Sequence, residues 1–236
     1  MSTTEPVTTR LSPERWATDL VAHSLAYGFL SRAIYQEPDG GLLRTLADDD
    51  VAATWPVEGD DTDLAVGREL LHGFLREWSE ELLPELRRDY TRLFIGPGIK
   101  AAPWESVYLS RDNVVFEQQT VAVRDFYHRF GLQAPRLRRE PDDHLGLELA
   151  FMVHLCSLAL EALESEDQRR FQWLLGAQRT FLRVHLLRWA PRCLGLVIQH
   201  AATDYYRGVG HLALGTLRRT AETLGIDPAE HAPSVR

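Results

Sequence analysis

Asp142, Asp143 and His144 put two carboxylates and an imidazole on three consecutive residues, directly behind Pro141 and directly before an apolar helical pattern. Groups of these types can pass a proton, hold a metal ion, or accept hydrogen bonds from guanidinium groups. Pro141 disfavours the α conformation at Glu140, so the spacing predicts a helix that starts just behind the proline. Asp142 or Asp143 is then expected to accept from the free backbone N–H groups at the positive end of that helix. One cap needs one aspartate, which leaves the second carboxylate and His144 over for another task.

Other chemistries lack their parts. His144 and Glu148 lie four apart and share a helix face, but no third ligand stands at metal-binding spacing, and such pairs are mostly hydrogen bonds or salt bridges. His154 and Cys156, two apart, point away from each other on a helix. Ser106 and Ser110 are not set in a GxSxG turn, and Gly96-Pro97-Gly98 is neither a P-loop nor a dinucleotide fingerprint. Hydrolase, kinase and dehydrogenase readings therefore lack their parts, and no metal or cofactor is expected; a metal- or redox-dependent helical enzyme using His144, Glu148, His154 or Cys156 is kept as the rival from another class. Aromatic residues form the second unusual set. Tyr90 and Phe94 are four apart and by default core. Trp104, held between Pro103 and Glu105 in a Gly/Pro-rich stretch, is the ring best suited to a groove wall.

The elements that must position these groups read as helices almost throughout, with strand alternation nearly absent. Ser12 and Pro13 make a cap and first turn, and Trp16, Leu20, Tyr27, Leu30 and Ile34 follow at helical spacing. A short helix is expected over 42–50. A longer one carries Leu64, Leu71, Phe74, Leu75, Trp78 and Leu82, interrupted or bent at Pro84 before Leu86, Tyr90, Leu93 and Phe94. Residues 96–113 are irregular yet rich in rings, as functional loops are. A helix over about 114–130 stops at Gly131, and 132–141 form a polar linker with two prolines. Further helices carry Leu145, Leu149, Met152 and Leu155, then Phe171 to Leu182 ending near Pro191, then Leu194 to Ala201, then Leu212 to Leu224. The fold class is all-α: about nine helices in a single compact domain, with two lobes, 11–131 and 142–226, joined by a hinge at 132–141 as the variant arrangement, and with disordered tails at 1–10 and 227–236.

Composition narrows the partners. The 236 residues are 44% hydrophobic with six tryptophans, which suits a packed core. A formal charge of −8 argues against nucleic acid, and Lys100 is the sole lysine among the cations. Two cysteines, Cys156 and Cys193, are too few for a disulfide framework. Neither a secretory signal nor an apolar run approaching the length of a membrane span is read, so the cytoplasm is the expected address.

Three segments in order, YTRLFIGPG, APWESVYLSRDNVVFEQQT and REPDDHLGLELAFM, resemble the TorD/DmsD family of cytoplasmic chaperones for exported molybdoenzymes. The resemblance is strong over 90–163 and looser as far as YYRGVGHLALGTL. It implies a non-enzymatic role: binding the twin-arginine signal peptide and the folding precursor of a molybdopterin-containing oxidoreductase, assisting cofactor insertion and delaying export. It also implies a monomer able to form domain-swapped dimers, with translocase or cofactor-biosynthesis components as further partners. Tyr90, Gly98 and Glu117 depart from residues found in some relatives, and no nucleotide motif is present. Carried over by motif, the leader-binding surface comprises Tyr90, Phe94, Pro103, Trp104, Pro141, Asp143 and His144.

A twin-arginine leader offers two guanidinium groups and an apolar stretch, so its receptor calls for carboxylates bordering a ring-lined groove. Glu140, Asp142 and Asp143 are expected to supply the first, and Tyr90, Phe94 and Trp104 the second. On this reading Asp143→Ala and His144→Ala weaken binding and leave the fold intact. Within the same family, an assembly chaperone of the nitrate-reductase type, serving a cytoplasm-facing enzyme, is the alternative.

Overall fold

A computed structural model describes residues 11–109, 118–134 and 141–227. Glu140, Arg136, Arg138 and Arg139, most of the expected hinge, Glu117 and the residues expected as tails, apart from Asp227, lie outside them.

Ten α-helical segments form among the described residues, and no strand does. They are α1 (Pro13–Tyr35), α2 (Gly40–Asp48), α3 (Thr62–Arg76), α4 (Leu83–Tyr90), α5 (Glu105–Leu109), α6 (Gln118–Arg129), α7 (Leu145–Glu164), α8 (Gln168–Phe181), α9 (Leu187–His200) and α10 (Asp204–Thr223). A π-helical turn, Leu182–Leu186, fuses α8 and α9 into one rod, so nine rods result.

Local chemistry sets most boundaries. Ser12 accepts from the Arg15 N–H at 3.3 Å, Asp39 from Leu42 at 2.8 Å and Asp61 from Asp63 and Leu64, so α1, α2 and α3 each start on a side-chain cap. Pro84 opens α4 within its first turn; it does not bend a longer helix. Gly131 takes φ 74° behind α6, a left-handed geometry that glycine adopts without strain. Pro191 departs from expectation: it lies inside α9 and stops nothing. Its missing donor falls opposite Leu187, immediately after the π-turn, where the hydrogen-bond ladder has already left α register.

The most extensive pairings are α1 with α7 and α3 with α10. Both join chain before 132 to chain after 141, and one apolar cluster runs through the two halves. Gly146 lets the first pair close, since a Cβ there would stand 2.6 Å from the Cβ of Tyr35, and Ser31 Oγ donates to the Gly146 carbonyl at 2.7 Å. Against the expectation that no apolar run approaches the length of a membrane span, α7 matches one by length and composition. In the fold it is a largely buried core helix, packed between α1 and α8.

Candidate functional site

Residues 103–105 run antiparallel to residues 143–145, with Trp104 opposite His144. Glu105 N–H donates to the Asp143 carbonyl at 3.0 Å and Leu145 N–H to the Pro103 carbonyl at 2.8 Å. The PWES and PDDH motifs, almost forty positions apart in the chain, thus meet in one short bridge.

Each charged side chain of the second motif is used inside the protein. Asp143 is fully buried; one carboxylate oxygen accepts from Ser106 N–H at 2.8 Å, tying down the start of α5, and the other from Thr120 Oγ1 on α6 at 2.8 Å. Asp142, equally buried, accepts from Arg124 Nε at 3.0 Å and Nη2 at 2.5 Å, while its carbonyl accepts from Tyr127 Oη. The expected aspartate cap of α7 is overturned, because His144 is the cap: its Nδ1 accepts from Gly146 N–H at 3.0 Å. That bond leaves the ring proton on Nε2. Burial pushes the His144 pKa down to about 3, so the cap is a neutral imidazole. Its ring stands edge to face between Tyr35, at 5.1 Å, and Trp104, at 5.9 Å.

Beneath the bridge lies a second buried layer. Glu105 meets His185 Nδ1 at 2.9 Å, and Trp189 Nε1 donates to Glu148 at 3.3 Å. Burial first, then the charges of Glu105 and Asp143, raise the Glu148 pKa well above the carboxylate range, which favours a neutral acid there. Glu148 is thus a core group. Among the described residues no group of three or more His, Cys, Asp or Glu has the geometry to hold a metal. Cys156 and Cys193 are buried free thiols whose pKa burial lifts to about 12.

The aromatic members separate. Pro103 and Pro141 are buried and Trp104 is half-buried, with its indole N–H unpartnered among the described residues. Tyr90 and Phe94 are 3% and 2% exposed and pack against Tyr206 at 6.1 and 5.8 Å. These two rings sit in a different cluster from Trp104. An open cleft lined by acids and rings is therefore not what the described residues of the bridge present: Asp142 and Asp143 are enclosed, and Tyr90 and Phe94 pack against Tyr206 instead. Glu105, Ser106, Thr120, Arg124 and His185 escaped sequence reasoning. Their partners are 18 to 80 positions distant, and no local pattern marks such pairings.

Residues 58–195, which include both bridge motifs, match the family described as nitrate reductase delta subunit. Over 177 residues the chain is 32% identical to the Tat proofreading chaperone DmsD of Salmonella typhi, covering 75% of this chain and 76% of that protein. It is 28% identical over 213 residues to the chaperone protein TorD of Shewanella sp. (strain ANA-3), covering 86% and 94%. The chain belongs to the TorD/DmsD family. Its relatives here carry the names of chaperones, which are not enzymes. The bridge between residues 103–105 and 143–145 lies wholly within the part of this TorD/DmsD chain that the family matches.

Proposed function

We propose that this protein is a cytoplasmic, system-specific chaperone that binds the twin-arginine signal peptide and folding precursor of a molybdopterin-containing oxidoreductase, assists cofactor insertion and delays export. The observation that carries this reading is the 32% identity, across three quarters of the chain, to a Tat proofreading chaperone. Within it, the site residues take new roles. Trp104, the half-buried ring at the bridge, is the group that touches the leader, and Pro103, Pro141, Asp143 and His144 hold it in place. Asp142 fixes α6 through Arg124. Glu140 remains a proposed charged neighbour from sequence, and Tyr90 and Phe94 form a buried ring layer that supports the surface from below. The protein acts as a monomer, and exchange of segments between two copies is its route to a dimer.

Calorimetric titration with a synthetic leader tests the proposal. Binding is expected, and it should be lost when the two leader arginines become glutamine. A leader bound equally well without its arginines would instead favour a nitrate-reductase-type assembly chaperone for a cytoplasm-facing enzyme, the reading to which the family description of residues 58–195 also points.

A further inference from the structure

Away from the bridge, a groove of about 600 Å³ opens between the C-terminal end of α3, the start of α4 and the α9–α10 junction. That volume lies within the range of sites that enclose drug-sized ligands or a few side chains. Phe74 and Leu82 supply apolar lining, and Glu77, Glu85 and Asp204 supply exposed carboxylates. Arg207 is the cation in the lining, and it is committed: it pairs with Asp204 and donates to the Ala201 carbonyl at 3.2 Å. No ion pair among the described residues engages Glu77 or Glu85. The positive end of α10, which would attract an anion, is already taken by buried Asp89, which accepts from Ala202 N–H at 2.9 Å and from Thr203 N–H and Oγ1 at 2.8 Å each. The uncompensated charge facing the groove is therefore negative.

The rings expected to line a leader site lead to this place. Phe74 contacts Tyr205 at 5.5 Å, Tyr205 contacts Tyr206 at 5.0 Å, and Tyr206 contacts both Tyr90 and Phe94. An acidic rim over a floor continuous with an aromatic cluster is the combination that a cationic, apolar peptide requires, and the bridge does not offer it.

We infer that this groove docks the arginine pair of the client leader, with the guanidinium groups at Glu77 and Glu85 and the adjoining apolar residues over Phe74 and Leu82. The inference rests on the proposed leader-binding function and adds a site to it. Arginine suits the place because its planar fork satisfies carboxylates while its face packs on rings.

The test is fluorescence anisotropy of a labelled synthetic leader, two arginines followed by its apolar stretch, titrated with the full chain. Glu77→Lys/Glu85→Lys should raise Kd by at least about tenfold, as expected when charge-assisted contacts turn repulsive. An equal charge change on exposed positions elsewhere, Asp48→Lys/Glu164→Lys, should leave Kd within about twofold, the residue of long-range attraction that salt screens. Matched unfolding curves establish that both variants fold. Leader binding by the parent with no difference between the two double variants would overturn the groove and leave the chaperone reading standing. A parent that fails to bind the leader at all would overturn that reading, and the groove assignment with it.

Discussion

The bridge and the groove hold the same kind of group in opposite circumstances. At the bridge, Asp142, Asp143 and Glu105 lie in the interior and each has a protein partner within 3.0 Å. At the groove, Glu77 and Glu85 face solvent, and no partner among the described residues engages them. A buried carboxylate enclosed by its own fold cannot reach a ligand at the surface, and removing it strands the donors it satisfied. An unpaired exposed carboxylate contributes almost nothing to folding and keeps its full capacity for a guanidinium. The difference separates positioning acids from recognising acids, a division that residue type alone conceals.

The strongest way to break that division is Asp143→Ala. It leaves the Ser106 N–H and Thr120 hydroxyl buried without a partner, and stability should fall by roughly 3 kcal/mol. Urea denaturation measures it. This reverses the expectation that the substitution spares the fold; an unchanged midpoint would mean that Asp143 is no staple. Next comes Arg124→Met, which strands the Asp142 carboxylate and should cost about 2 to 3 kcal/mol, with Asp142→Leu added on top restoring most of the loss.

A smaller effect belongs to pH. His144 and His23 are buried, and burial is the leading cause holding their pKa values near 3 and 4, below the ordinary 6.5. As pH falls below 6.5 the unfolded chain takes up these protons first. Stability from both groups is therefore complete above 6.5 and is lost on the way down to about 4 for His23 and about 3 for His144. His144→Asn keeps a side chain able to cap α7 without titrating, so the slope of stability against pH between about 4 and 6 should decrease by about 1.4 kcal/mol per unit. The smallest effect is expected at the groove, where Glu77→Gln and Glu85→Gln should each change stability by no more than about 0.5 kcal/mol. Thermal unfolding of the two variants beside the parent checks this, and a large loss at either would place that glutamate among the positioning acids.

How much of this was legible in the sequence follows the range of the interaction. Caps and helical stripes are local, so Ser12, Pro13 and the apolar run from Trp16 to Ile34 announced α1 and its first residue. Pro141 correctly marked a helix start, but which of the next three residues would cap it was open, because Asp and Asn are the usual caps and His is not. Pro191 misled because its tolerance depends on a π-turn that composition does not reveal. The motif pair was visible as a resemblance; its antiparallel contact was not.

By itself, then, the sequence determined the all-α class and several helix limits, which are written in spacing along the chain, and the family, which is written in its motifs. Only tertiary structure decided which carboxylates are spent and which are free. Asp143 is filled by groups 23 and 37 positions away, whereas Glu77 and Glu85 meet none among the described residues. The physical reason is that a charge's availability depends on what packs against it, and for these residues the packing comes from distant chain.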